Sequence, residues 1–161
     1  MMKYLTNISI ALCIFIGLYE ETFAMNGRFG LGITNQPETN LENISFKVHK
    51  SRRTAYGGVI GASNSDDGGY LIGLKFYRKL IQEENLNFFG ALFGAYRNEG
   101  PVNQKITGFQ GDLTFGAEYF FQGLDHLGFS FETGLSVNTF DDFTFRTKAL
   151  NTIQAAIHFY L

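Results

Sequence analysis

The chain has 161 residues, 13 of them basic and 15 acidic, and a formal charge of −2 excludes the basic footprint that a nucleic-acid binder needs. Charged residues are only 17% of it while aromatics reach 16%, a balance too poor in charge for the usual soluble surface. The length suits one domain, and the one small basic cluster, Lys50-Ser51-Arg52-Arg53, reads as a turn.

Residues 1–24 carry Lys3 without an acid, an apolar core from Ile8 to Leu18, and small residues at Thr22 and Ala24, which is the pattern of a cleaved secretory signal peptide. The apolar run is too short to span a bilayer as a helix. Cys13 is the only cysteine and falls inside this segment, so the exported chain, residues 25–161, is expected to have neither disulfide nor cysteine metal ligand.

From Arg28 onward the sequence alternates with a period of two, as strands do when their faces meet different media. RFGLGIT sets Phe29, Leu31 and Ile33 against Arg28, Gly30 and Gly32. After a polar stretch containing Pro37, ISFKVHK sets Ile44, Phe46 and Val48 against Ser45, Lys47 and His49. Residues 54–63 form a third strand of open facing, whose Gly57-Gly58 pair suggests a bend or bulge. Beyond the Asn64–Gly69 breaker, YLIGLKFYRKL puts Tyr70, Ile72, Leu74 and Phe76 opposite Gly73 and Lys75, and residues 86–97 make a fifth strand with two fairly apolar faces.

The clearest stretch is Gly108 to Val137, a hairpin. One face collects Phe109, Leu113, Phe115, Phe129, Phe131 and Leu135, and the other Gln110, Asp112, Thr114, Glu118, Ser130, Glu132 and Ser136. Residues 141–151 read as the longest interruption, and TIQAAIHFYL closes the chain with Ile153, Ile157, Phe159 and Leu161 on one face. The total is about eight strands of roughly ten residues, the length that crosses a bilayer when tilted. Tight connections follow the even strands and longer ones the odd strands, as in barrels with short periplasmic turns and longer outer loops.

The signal segment, the alternating strands and a last strand that ends at the final residue resemble the small eight-stranded outer-membrane barrels of the OmpA and OmpX type. The resemblance implies a closed antiparallel transmembrane β-barrel with up-and-down connections, all-β, in the outer membrane of a Gram-negative cell. It further implies contact with membrane lipid, a monomeric state, and recognition of the closing strand by the barrel-assembly machinery, here through Ile157, Phe159 and Leu161. That fold hosts several functions and fixes none.

If the apolar phase faces lipid, the opposite phase lines a narrow interior, and an eight-stranded barrel is just wide enough for side chains to fill it. Arg28, Lys47 and Lys75 then come from early strands and Asp112, Glu118 and Glu132 from late ones, so a paired charge network plugging a polar, porin-like lumen is expected. A Ser130, His158 and Glu132 group is conceivable, but sequence cannot supply triad geometry, and the bland reading of these residues as polar lining is preferred. His49 and His126 lack metal-ligand spacing, and no cofactor or catalytic residue is expected. The reading is a non-enzymatic outer-membrane barrel, structural or acting through its loops. Its rival is an exported soluble barrel of the lipocalin kind, with the phenylalanines turned inward around an apolar ligand.

Overall fold

The computed structural model describes residues 27–37, 39, 41–65, 68–101, 105–139, 143–148 and 153–161, so the signal segment lies outside the described residues. Nine antiparallel strands follow in chain order: β1 Phe29–Thr34, β2 Asn43–His49, β3 Thr54–Ser63, β4 Gly69–Gln82, β5 Leu86–Glu99, β6 Ile106–Phe120, β7 Leu127–Asn138, β8 Thr144–Lys148 and β9 Gln154–Tyr160. Each pairs with the next as far as β7, and β9 returns to pair with both β7 and β1. The sheet therefore closes on itself as an eight-stave meander with no crossover.

Nine strands make eight staves because the last stave is shared. The first half of β7 pairs with β9, from Leu127 with Phe159 to Glu132 with Gln154, and its second half pairs with β8, from Gly134 with Lys148 to Asn138 with Thr144. The sequence reading of 141–151 as an uninterrupted connection is corrected here. TFRTK is too short and too charged to announce itself as a strand, yet β7 extends beyond β9 and its free backbone groups need a partner.

Alternation in the sequence becomes inside and outside in the barrel. Phe109, Phe115, Phe131 and Phe159 stand on the exterior, with Phe109 65% and Phe159 53% exposed, and Phe129 shares their phase and packs edge-on against Phe121. A lipocalin-like arrangement would bury these rings around a cavity, and the barrel is turned the other way. The two open facings are also settled. On β3, Tyr56 and Ile60 point out while Ala55 and Val59 point in, and on β5, Leu92 and Tyr96 point out while Phe89, Ala91, Phe93 and Ala95 point in. Pairing runs in regular register through Gly57-Gly58, and the Phe46 ring occupies the space a Gly58 Cβ would need. The irregularity instead falls between Lys79 and Ile81 on β4.

The interior is amphipathic where a uniformly polar one was expected. Leu71, Val59, Phe93 and Ala95, joined by Leu41 from the β1–β2 connection, form one apolar cluster, and Ala55, Tyr77, Phe89 and Ala91 form another. Both are centred on the β3–β5 wall, and the interior carboxylates come from β6 and β7, met by lysines on β2, β4 and β8.

The seam between β1 and β9 tolerates little. At Gly32 a Cβ would lie 1.8 Å from the Ile157 carbonyl oxygen, inside any contact distance, whereas at Gly94 on β5 it would meet nothing within 4 Å. Gly32→Val should therefore abolish the closed barrel and Gly94→Val should keep it, read as the fraction migrating in the compact form on unboiled denaturing gels.

Candidate functional site

The inward positions of the described strands gather six buried charges into three ion pairs, each joining different staves. Lys47 on β2 reaches Glu118 on β6 with Nζ 2.9 Å from Oε2, and Lys75 on β4 reaches Glu132 on β7 with Nζ 2.6 Å from Oε2. Lys148 on β8 lies 2.5 Å from Oδ2 of Asp112 on β6. All six side chains are 3% exposed or less. Charges this far from water are tolerable only when paired and when their remaining lone pairs and protons are hydrogen-bonded.

The surrounding residues meet that condition. Glu118 accepts a second bond, from the Tyr160 hydroxyl, and Glu132 accepts one from Thr114 Oγ1 at 2.7 Å. Asp112 is the most heavily served, with Ser136 Oγ donating at 2.6 Å and Gln110 Nε2 lying 3.0 and 3.1 Å from its two oxygens. Each lysine on the early staves also rests on aromatic faces of the apolar wall. Lys47 Nζ is 4.4 Å from the Tyr77 ring centroid and 5.0 Å from that of Phe89, and Lys75 Nζ is 5.3 Å from Tyr77. Tyr77 thus lies beneath two cations at once, linking the Lys47–Glu118 and Lys75–Glu132 pairs.

Of the six charges singled out by alternation, Lys47, Lys75, Asp112, Glu118 and Glu132 come together inside, and Arg28 does not. It precedes β1 at the end of the barrel, and its Nη1 donates to the Asp125 carbonyl oxygen at 3.0 Å, bracing the β6–β7 turn. The third interior cation is instead Lys148, paired with Asp112, in the stretch that reads from sequence as a connection. Lys79 is a further buried lysine, in phase with Lys75 and Tyr77 on β4, and continuing the alternation by four residues would have found it. Tyr160 was legible in the same way, as the inward neighbour of Phe159.

The Ser130, His158 and Glu132 group does not form a relay. His158 Nε2 is hydrogen-bonded to Ser45 Oγ at 2.9 Å, Ser130 stands in register with Ala156, and Glu132 is held by Lys75 and Thr114. Among the described residues no three His, Cys, Asp or Glu side chains converge to hold a metal ion. Ile157, Phe159 and Leu161 lie on the outer face of β9 and just beyond it, where Leu161 N donates to the Phe29 carbonyl at 2.8 Å and ties the last residue to β1.

These features define a class: a closed eight-stave meander barrel with an aromatic exterior and an ion-paired interior. No family model matches the chain, and no curated protein matches it in sequence. Among solved structures, the crystal structure of the N-terminal β-barrel domain of Pseudomonas aeruginosa OprF is similar, with a TM-score of 0.58 and 11% identity over 83% of this chain and 96% of that one. The likeness is one of fold, the OmpA-type barrel architecture.

A carboxylate removed from this interior leaves its lysine buried and uncompensated. Glu118→Ala should destabilise the barrel by about 3 kcal/mol or more, and Glu83→Ala, on the exposed β4–β5 turn, should leave the midpoint of thermal unfolding in detergent unchanged.

Proposed function

We propose that this protein is a non-enzymatic outer-membrane β-barrel, exported by cleavage of residues 1–24, whose ion-paired interior keeps it closed to steady ion flow and whose role is structural or carried by its outer loops. The observation that supports this most directly is the distribution of charge. On the outward phase of the described strands Arg78 is the one charged side chain, and the exterior otherwise presents residues such as Leu31, Ile60, Leu74 and Phe109. In water such a surface would be an aggregation liability; in lipid it is what a barrel wall requires. The same surface would contact membrane lipid, the closing strand would engage the assembly machinery through Ile157, Phe159 and Leu161, and the barrel would act as a monomer.

Membrane fractionation should recover the protein in the detergent-soluble outer-membrane fraction, with faster migration before boiling than after. Recovery as a soluble periplasmic protein would overturn the reading. In planar bilayers the unmodified protein should give no steady conductance. Deleting Phe159–Leu161 would leave backbone groups of β1 and β7 unpaired in lipid at several kcal/mol each, so that truncation should fail to accumulate in the outer membrane.

A further inference from the structure

The basic turn Lys50-Ser51-Arg52-Arg53 takes no part in the interior network, and we infer that, with Arg78, it forms the headgroup half of a binding site for an acidic phospholipid. The inference rests on the membrane reading above, under which the short turns face the periplasm.

Two features converge at this corner of the barrel. The first is a set of cations held by a rigid turn. Ser51 Oγ accepts from the backbone N–H groups of Arg53 and Thr54 at 3.3 and 3.1 Å, and the Lys50 and Ser51 amides both donate to the Thr54 carbonyl. The turn is also tied to the end of β4, since Lys79 N donates to the Arg53 carbonyl at 2.7 Å and Gln82 Nε2 to the Arg52 carbonyl at 2.8 Å. Arg78 enters the same corner from β4, in register with Thr54. It is the charged residue on an otherwise apolar outer face. Four cations held on a preorganised scaffold at the membrane boundary suit an anionic phosphate.

The second feature is an apolar groove that leads away from them. A hollow of about 350 Å³ on the outer wall is lined by Tyr56, Leu74, Phe76 and Leu92, with Gly94 leaving room where a side chain would otherwise fill it. Its upper reach is Gly94, where a Cβ would touch nothing within 4 Å. Its lower reach is Tyr56, whose ring lies 5.8 Å from Lys50 Nζ and 5.4 Å from the Phe76 ring. On β4 the order is Leu74, Phe76, Arg78 on one face, so the groove runs into the cations without a break. An acyl chain lying along Leu92 and Phe76 would bring its phosphate to Arg78 and Lys50. Glu83 and Glu84, on the next turn, would set the limit of the site on the β5 side.

Native mass spectrometry of the detergent-solubilised protein, titrated with phosphatidylglycerol, phosphatidylcholine of the same chains, or lipid A, tests this. Wild type should take up one phosphatidylglycerol with a preference over phosphatidylcholine of roughly tenfold or more. The combined Lys50→Gln, Arg52→Gln and Arg53→Gln variant should lose that preference, and Gly94→Phe, which fills the groove, should weaken uptake of phosphatidylglycerol. Arg28→Gln, a rim cation outside the corner, should change nothing. Equal uptake of the two phospholipids by wild type, retained preference in the triple variant, or stronger binding of lipid A than of phosphatidylglycerol would overturn the proposal. Failure of the membrane reading shows separately, as failure of wild type to insert into phosphatidylcholine vesicles and migrate in the compact form; normal insertion without lipid preference would sink the site alone.

Discussion

A sheet that is to stand in an apolar medium can leave no backbone edge open, and this requirement explains much of what is unusual in the barrel. β1 is short, six residues against fifteen in β6, so β9 can follow it only part of the way. Where β9 stops, β8 takes over along β7. At the β1 end of the seam, side-chain groups substitute for strand. Asn35 continues the pairing by accepting from Ala155 N at 2.6 Å and donating to the Ile153 carbonyl at 3.2 Å. An asparagine side chain carries an amide N–H and a carbonyl oxygen, and here it uses one of each as a peptide unit would.

Closure in turn decides what the interior must be. Eight staves bring inward side chains from opposite walls into contact, so each residue there has to suit a partner distant in sequence. Burial makes an unpaired lysine or carboxylate costly, and the solution found is one carboxylate for each of Lys47, Lys75 and Lys148, with hydroxyls and amides on the spare oxygens. The aromatic residues of the other wall are more than filler. Tyr77 offers its face to Lys47 and Lys75, and Tyr160 offers its hydroxyl to Glu118, so the apolar and polar walls meet through the cations rather than merely beside them. Not every group is satisfied: both nitrogens of His49 and the carboxamide of Gln36 are buried without a hydrogen-bond partner among the described residues. Groups of that kind are ordinarily met by water in folded proteins.

The fold was legible because period-two alternation is a local signal, readable from six or seven consecutive residues. Phe109 to Tyr119 shows it without interruption, and its facing needed nothing from elsewhere in the chain. Two strands resisted because a side chain's surroundings inside a barrel are not local. Phe89 and Phe93 look like lipid-facing residues until Lys47 and Lys75 are seen lying on their wall, and Val59 looks outward until Leu71 and Leu41 are placed beside it. Arg28 failed for the opposite reason. It keeps the alternation of β1 but falls just before the strand begins, where phase no longer dictates direction. Lys148 was missed because β8 exists only as a complement to β7, and five residues of mixed polarity carry too little pattern to declare a strand on their own.

The β1–β9 seam also has a temporal meaning. Gly30 pairs with Tyr160 and Thr34 with Ala156, so the contacts that make the sheet a barrel join the two most distant parts of the described chain, whereas the hairpins from β2 to β7 join neighbours. Loop-closure entropy has to be met before such long-range pairs return anything, which orders assembly: the hairpins can form early and separately, and the seam comes last. Until it does, Lys47 and Glu118, carried by staves on opposite sides, have no reason to meet. For that pair, ion pairing and closure are therefore a single late event, and an open sheet is a state in which its charges remain in water.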